Sequence, residues 1–82
     1  MRKVLTERAD VSASVLEYHL LEEPREDGRR DYGVEVCSSD GDSDCVRGIT
    51  VCREDAAELL RLLARNTVTP VTLRDVIEDW LP

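Results

Sequence analysis

The sequence contains no phenylalanine, one tryptophan and two tyrosines, so its apolar side chains are almost entirely aliphatic. Val, Leu and Ile must supply nearly all of the buried surface of an 82-residue chain, which predicts one small domain with a modest core. Long apolar runs are also missing: no stretch approaches the roughly 18 apolar residues of a membrane span, and charged residues interrupt the run that a signal peptide would need. We expect a cytoplasmic protein without a membrane partner.

Positive charge is scarce as well. Eleven Lys and Arg stand against eighteen Asp and Glu, which gives a formal charge of −7. Such a surface repels a phosphate backbone, so we expect no nucleic-acid partner. The sequence also has a single histidine and no glycine-rich phosphate loop. No serine or cysteine stands beside an evident base and orienting acid, so we expect neither an enzyme nor a cofactor.

Alternation of apolar and polar residues predicts the first strand. Residues 1–12 fit neither the period of a helix nor that of a strand, and their structure is left open. From Ser14 to Glu22 the pattern has period two, and Pro24 follows it. The apolar face of this strand carries Leu16, Tyr18 and Leu20.

Two more strands follow, at residues 31–38 and 45–51, with a reversal predicted to be centred on Gly41. The apolar residues of the third strand change parity along its length, which a bulge near Gly48 would explain. The predicted sheet spans residues 14–52.

This register has a consequence for the polar residues, because it places Cys37 opposite Cys45 and Glu35 opposite Arg47. It also places His19 opposite Glu35 or Cys37. One face of the sheet is therefore predicted to carry Glu17, His19, Glu35, Cys37, Cys45 and Arg47.

After Cys52 the apolar period becomes that of a helix, and Pro70 separates a first amphipathic helix from a second, for which Thr72 is the predicted N-cap. The two apolar stripes are Ala56, Leu59, Leu60 and Leu63, and Leu73, Val76, Ile77 and Trp80. The predicted fold is α+β, a three-stranded antiparallel meander followed by two helices on one sheet face (β-β-β-α-α). We expect residues 1–82 to form a single domain, with the two-helix part at residues 53–82.

Two stretches carry a resemblance to a known protein family. They are Tyr32-Gly33-Val34-Glu35-Val36 and the closing run from Val68 to Leu81, in which a proline precedes a short acidic helix. From about Glu17 to its end, the chain resembles a family of short clostridial proteins known only as a domain of unknown function (DUF6514-like). The resemblance implies a small bacterial cytosolic protein that is encoded as a stand-alone domain. It implies no catalytic or binding residues.

Three residues of the predicted polar face, His19, Cys37 and Cys45, are candidate metal ligands. An imidazole, two thiolates and a neighbouring carboxylate are the ligand types that zinc uses. Their spacing matches no established zinc-finger pattern, so the alternative is an ordinary set of reduced thiols and an imidazole on a partly exposed sheet. Cys37 and Cys45 could also form a redox pair if they are directly opposed.

The function that the sequence favours is a non-enzymatic protein-interaction or regulatory module. Helices on one side leave the other sheet face uncovered, and Val15 and Leu21 would flank that face with apolar contacts. A protein partner or a second copy of the chain would bury it. The alternative is a small metal-responsive or thiol-based sensor that uses His19, Cys37 and Cys45.

Overall fold

The computed structural model describes residues 1–81 and contains, within them, four strands followed by two helices. The strands are Arg2–Val11 (β1), Ser14–Pro24 (β2), Arg30–Ser38 (β3) and Ser43–Thr50 (β4), and the helices are Arg53–Arg65 (α1) and Leu73–Trp80 (α2). The strands form one antiparallel sheet in the order β1-β2-β3-β4. The α+β prediction is confirmed, but the three-stranded sheet is wrong, since the element order is β-β-β-β-α-α. Neither α1 nor α2 is long and apolar enough to cross a membrane.

The unpredicted strand, β1, is the segment whose pattern had no clear period. It is an edge strand, and its register against β2 shifts between Lys3 and Leu5. That irregularity places the apolar residues Val4 and Leu5 out of alternation, and five of the ten residues of this edge strand are charged. Ser12, at φ 54°, makes the tight turn into β2 without the glycine or asparagine that signals such a hairpin.

The core lies between the sheet and the helices. The α1 stripe is confirmed, because its four predicted residues are the buried ones, and Leu73 and Ile77 are buried on α2. The Tyr18 hydroxyl, also buried, donates a hydrogen bond to the Val68 carbonyl oxygen at 2.9 Å, and burial raises the pKa of this phenol. The chain between the helices is thereby joined to the sheet. Fully buried large side chains are Tyr18, Leu20, Val34, Val36, Leu59, Leu60, Leu63 and Leu73.

The register of β3 against β4 differs from the prediction by two residues. Glu35 is paired with Cys45, and Cys37 with Ser43. The expected pairs of Cys37 with Cys45 and of Glu35 with Arg47 are therefore wrong. The turn explains the difference, because the Ser38 amide donates to the Asp42 carbonyl oxygen at 2.8 Å, which centres the reversal one residue before the predicted position.

The bulge predicted near Gly48 is confirmed. The β3–β4 register shifts between Tyr32 and Val34, and Gly48, at φ 62°, lies in the facing part of β4. Gly33 approaches the bulge so closely that a Cβ there would lie 2.8 Å from the Cα of Arg47. The close approach requires a residue without a side chain.

Candidate metal centre

The sheet face away from the helices brings together His19, Glu35 and Cys37. His19 on β2 is paired with Glu35 on β3, as one of the two predicted alternatives had it, and Cys37 stands two residues farther along β3. One nitrogen, oxygen or sulfur atom of each side chain lies within 4.8 Å of the other two. Two adjacent strands therefore place three different donor types around one point.

Cys45 lies on the same face of the sheet but outside this group. It is the cross-strand neighbour of Glu35 and only a diagonal neighbour of Cys37. Diagonal positions hold Cβ atoms roughly 7–8 Å apart, whereas a disulfide needs roughly 3.5–4.5 Å. The prediction that Cys37 and Cys45 are directly opposed and could form a redox pair is therefore wrong. In the residues that the structure describes, both cysteines are free thiols.

Thr6, on β1, orients the imidazole of His19. The two residues are cross-strand partners, and Thr6 Oγ1 shares a hydrogen bond of 3.0 Å with His19 Nδ1. If Nδ1–H donates to the hydroxyl, Nε2 keeps its lone pair and can bind a metal. His19 is only 9% exposed, so packing also restricts the ring. Sequence reasoning missed Thr6 because β1 itself was not predicted.

One carboxylate oxygen of Glu35 has no hydrogen bond among the described residues. This atom, Oε1, is buried. The ammonium nitrogen of Lys3 lies 3.4 Å from that oxygen and forms an ion pair with it outside hydrogen-bond geometry. The ion pair compensates this oxygen without a hydrogen bond, so Oε1 could still accept a bond from a coordinating cation.

Cys37 is a protonated thiol in this environment. Burial raises its pKa, and the negative charge of Glu35 raises it further. A metal ion bound here would have to displace the thiol proton, and its charge would offset that of Glu35. The raised pKa is the opposite of what activates a nucleophilic cysteine.

Val15 and Leu21 were predicted to flank this face with apolar contacts, and only one of the two is available for them. Val15 is half-buried, as a residue that flanks a partly covered face would be. Leu21 is only 2% exposed, because the register places it between Lys3 on β1 and Gly33 on β3. The outer face is consequently more polar than the sequence indicated.

Comparison with known proteins gives a family and no function. The model of DUF6514, described as a family of unknown function, matches residues 1–82, so the similarity also covers the segment before Glu17. Searches of curated proteins and of solved structures found no match. The match over the whole length shows that the chain belongs to the DUF6514 family.

Proposed function

We propose that the protein is a small, non-enzymatic regulatory protein that binds Zn²⁺ through His19, Glu35 and Cys37. The observation that carries this proposal is the convergence of one ligand atom from each side chain within 4.8 Å of the other two. A nitrogen, an oxygen and a sulfur donor together favour Zn²⁺ over Mg²⁺ or Ca²⁺, whose ligands are oxygen atoms.

The three ligand atoms would have to move only slightly closer together to form a zinc site. Zinc bonds of about 2.0–2.3 Å place tetrahedral ligand atoms roughly 3.5 Å apart. Side-chain rotation on Glu35 and Cys37, which are both partly exposed, can provide the movement. Three protein ligands leave a fourth position, which a water molecule or the Cys45 thiolate would fill.

The environment of the group supports the same proposal. Thr6 holds the imidazole in a fixed orientation, as the outer-shell partners of metal-bound histidines do. Glu35 presents a buried oxygen without a hydrogen bond among the described residues. Free thiols at Cys37 and Cys45 suit a reducing compartment, and we place the protein in the cytoplasm on that ground.

A protein-interaction module that works without metal is the second candidate. The helices pack on one side, so no element formed by residues 1–81 covers the other sheet face, and β1 and β4 are edge strands. A homodimer or a protein partner could cover that face. Sedimentation of the chelator-treated protein tests the homodimer: concentration-dependent dimers would support it, and a monomer at about millimolar concentration would contradict it.

The metal site is tested by Zn²⁺ titration, followed by calorimetry and by native mass spectrometry. We expect one ion per chain, and at least tenfold weaker binding for His19→Gln, Glu35→Gln and Cys37→Ser. Cys52→Ser is the matched control, because this exposed thiol lies outside the site, and it should bind as the wild type does. Co²⁺ substitution adds a spectroscopic signature, since a thiolate ligand produces a charge-transfer band that Cys37→Ser should remove.

Two results would contradict the proposal. One is the absence of Zn²⁺ uptake by the wild type at about 100 micromolar metal, a concentration well above the dissociation constant expected for a three-ligand protein site. The other is equal binding by the wild type and by the three ligand variants, which would place the bound ion elsewhere.

A further inference from the structure

Lys3 forms an ion pair with Glu35, one of the three proposed metal ligands. Its ammonium nitrogen lies 3.4 Å from Oε1, the same oxygen that is buried without a hydrogen bond from any described residue. Lys3 belongs to β1, is paired with Leu21 on β2, and reaches across β2 to the carboxylate on β3. A zinc ion bound to Oε1 at about 2.0–2.2 Å would bring two positive groups close together.

We infer that Zn²⁺ and Lys3 compete for Glu35, so that metal binding releases the N-terminal end of β1. This inference rests on the proposed function, because it concerns the regulation of the same site. In the metal-free form, the Lys3 ammonium is the cation that lies beside the Glu35 carboxylate. The doubly charged ion replaces it, repels it, and leaves its long and 57% exposed side chain free to extend into solvent.

The beginning of β1 is the part of the sheet that can yield to this repulsion. The register shift between Lys3 and Leu5 separates the first two residues of the strand from the regular ladder that follows. The other ion pair of this end joins Arg2 to Glu22 at 3.8 Å. Glu22 also accepts a hydrogen bond from Arg30 at 3.0 Å, so its carboxylate keeps a partner when Arg2 leaves.

Leu21 gives the release a consequence for the protein surface. It lies directly opposite Lys3 in the β1–β2 register and is 2% exposed. Directly opposed residues of antiparallel strands share a face and lie in contact distance. Withdrawal of Lys3 uncovers this leucine, so an apolar side chain is presented beside the site only in the metal-bound form.

Calorimetric Zn²⁺ titration of four proteins tests the competition: the wild type, Lys3→Met, Lys3→Arg and Arg2→Met. We expect Lys3→Met to bind about tenfold more tightly, because the competing charge is gone. Lys3→Arg keeps that charge, and Arg2→Met removes a charge that faces Glu22 instead, so both should stay within about twofold of the wild type. Hydrogen exchange of the N-terminal peptide should become faster when Zn²⁺ is added to the wild type. Circular dichroism confirms that each variant is folded.

The outcomes separate this inference from the function on which it rests. Equal affinities for the wild type and Lys3→Met, with unchanged exchange at the N-terminus, would overturn the competition and leave the zinc site in place. Absence of Zn²⁺ binding by all four proteins would overturn the site itself. Binding by Lys3→Met alone would support the competition, since it would show that the ammonium is the obstacle, but it would contradict the function proposed for the wild type.

Discussion

Arg47 on β4 and Glu23 on β2 form a bidentate ion pair across β3, although their strands are not adjacent. Nε and Nη2 of the guanidinium donate to the two carboxylate oxygens at 2.5 Å and 2.8 Å. The β4 backbone at Arg47 lies against Gly33 of β3, where a Cβ would be 2.8 Å from the Arg47 Cα. The absence of a side chain at Gly33 allows β3 to approach the bulge from which Arg47 extends to β2.

Gly33→Ala should therefore destabilise the protein. The added Cβ would meet the carbonyl oxygen of Val46 and the Cα of Arg47, which are backbone atoms that cannot rotate away. We expect a loss of about 1–3 kcal/mol in the free energy of unfolding, measured by urea denaturation. Gly28→Asn is the control: a Cβ there would meet open space, and asparagine tolerates a positive φ such as this one of 83° with modest strain, so the loss should be less than about 1 kcal/mol. An unchanged midpoint for Gly33→Ala would show that β4 moves easily.

The Arg47–Glu23 pair should make stability depend on pH in the acidic range. The hydrogen bond from Arg47 lowers the pKa of Glu23, so the unfolded chain binds more protons than the folded one as the pH falls. The stabilisation is present at about pH 7 and is lost between about pH 5 and pH 2. Arg47→Gln should lower the melting temperature most at neutral pH, and its difference from the wild type should shrink on acidification.

The control for this pH profile is Arg61→Gln on α1, where Arg61 makes no salt bridge with any residue from 1 to 81. It removes the same charge without removing a partner of a carboxylate. A parallel pH profile for the two variants would mean that net charge, rather than the ion pair, controls the acid range.

What the sequence could predict depended on whether a feature was local. The α1 stripe was predictable residue by residue, because a buried helix face is a matter of spacing alone. The β3–β4 register was not, because the hydrogen bonds of one turn shifted it by two residues and so separated Cys37 from Cys45. The prediction nevertheless placed Cys37 and Cys45 on a shared face, since parity survives a shift of two, and the β2–β3 register, which the shift does not affect, adds His19 to that face.

The part of the site that escaped prediction comes from β1. Thr6 and Lys3 reach His19 and Glu35 only through strand pairing, and an edge strand with a bulge shows no alternation to reveal it. Apolar periodicity indicates which side chains are buried in the core. It carries little information about polar residues at a sheet edge, where these two side chains lie.

Tyr18→Phe should loosen the attachment of the interhelical segment to the sheet. The phenol donates to the Val68 carbonyl oxygen at 2.9 Å within the core, and its loss leaves that acceptor without this bond. We expect a loss of about 1–2 kcal/mol in the free energy of unfolding, measured by urea denaturation. Tyr32→Phe is the matched comparison, because its hydroxyl lies at 3.4 Å from Glu22 and should contribute less. Equal losses in the free energy of unfolding would show that the Tyr18 hydrogen bond stabilises the fold no more than the longer Tyr32 contact does.

The three cysteines should differ in their reaction with iodoacetamide. Cys52 is exposed, whereas Cys37 is partly buried and has a raised pKa, so Cys52 should be alkylated first at about pH 8. Zn²⁺ should protect Cys37 without protecting Cys52, and mass spectrometry of the digested protein reports both positions in one sample. Protection of Cys45 together with Cys37 would identify the fourth ligand. Uniform alkylation in the presence of Zn²⁺ would speak against coordination by thiolate.

Thr6→Val should weaken Zn²⁺ binding although Thr6 is not itself a proposed ligand. Valine keeps the shape of threonine but cannot form the hydrogen bond of 3.0 Å that joins the Thr6 hydroxyl oxygen to His19 Nδ1. The imidazole then loses the partner that fixes its tautomer, and we expect a loss of about tenfold or more in affinity, measured by calorimetry. Thr6→Ser keeps the hydroxyl and should restore most of the affinity. If valine and serine behave alike, the hydrogen bond does not orient the ligand, and the packing that leaves His19 only 9% exposed is sufficient to hold the ring.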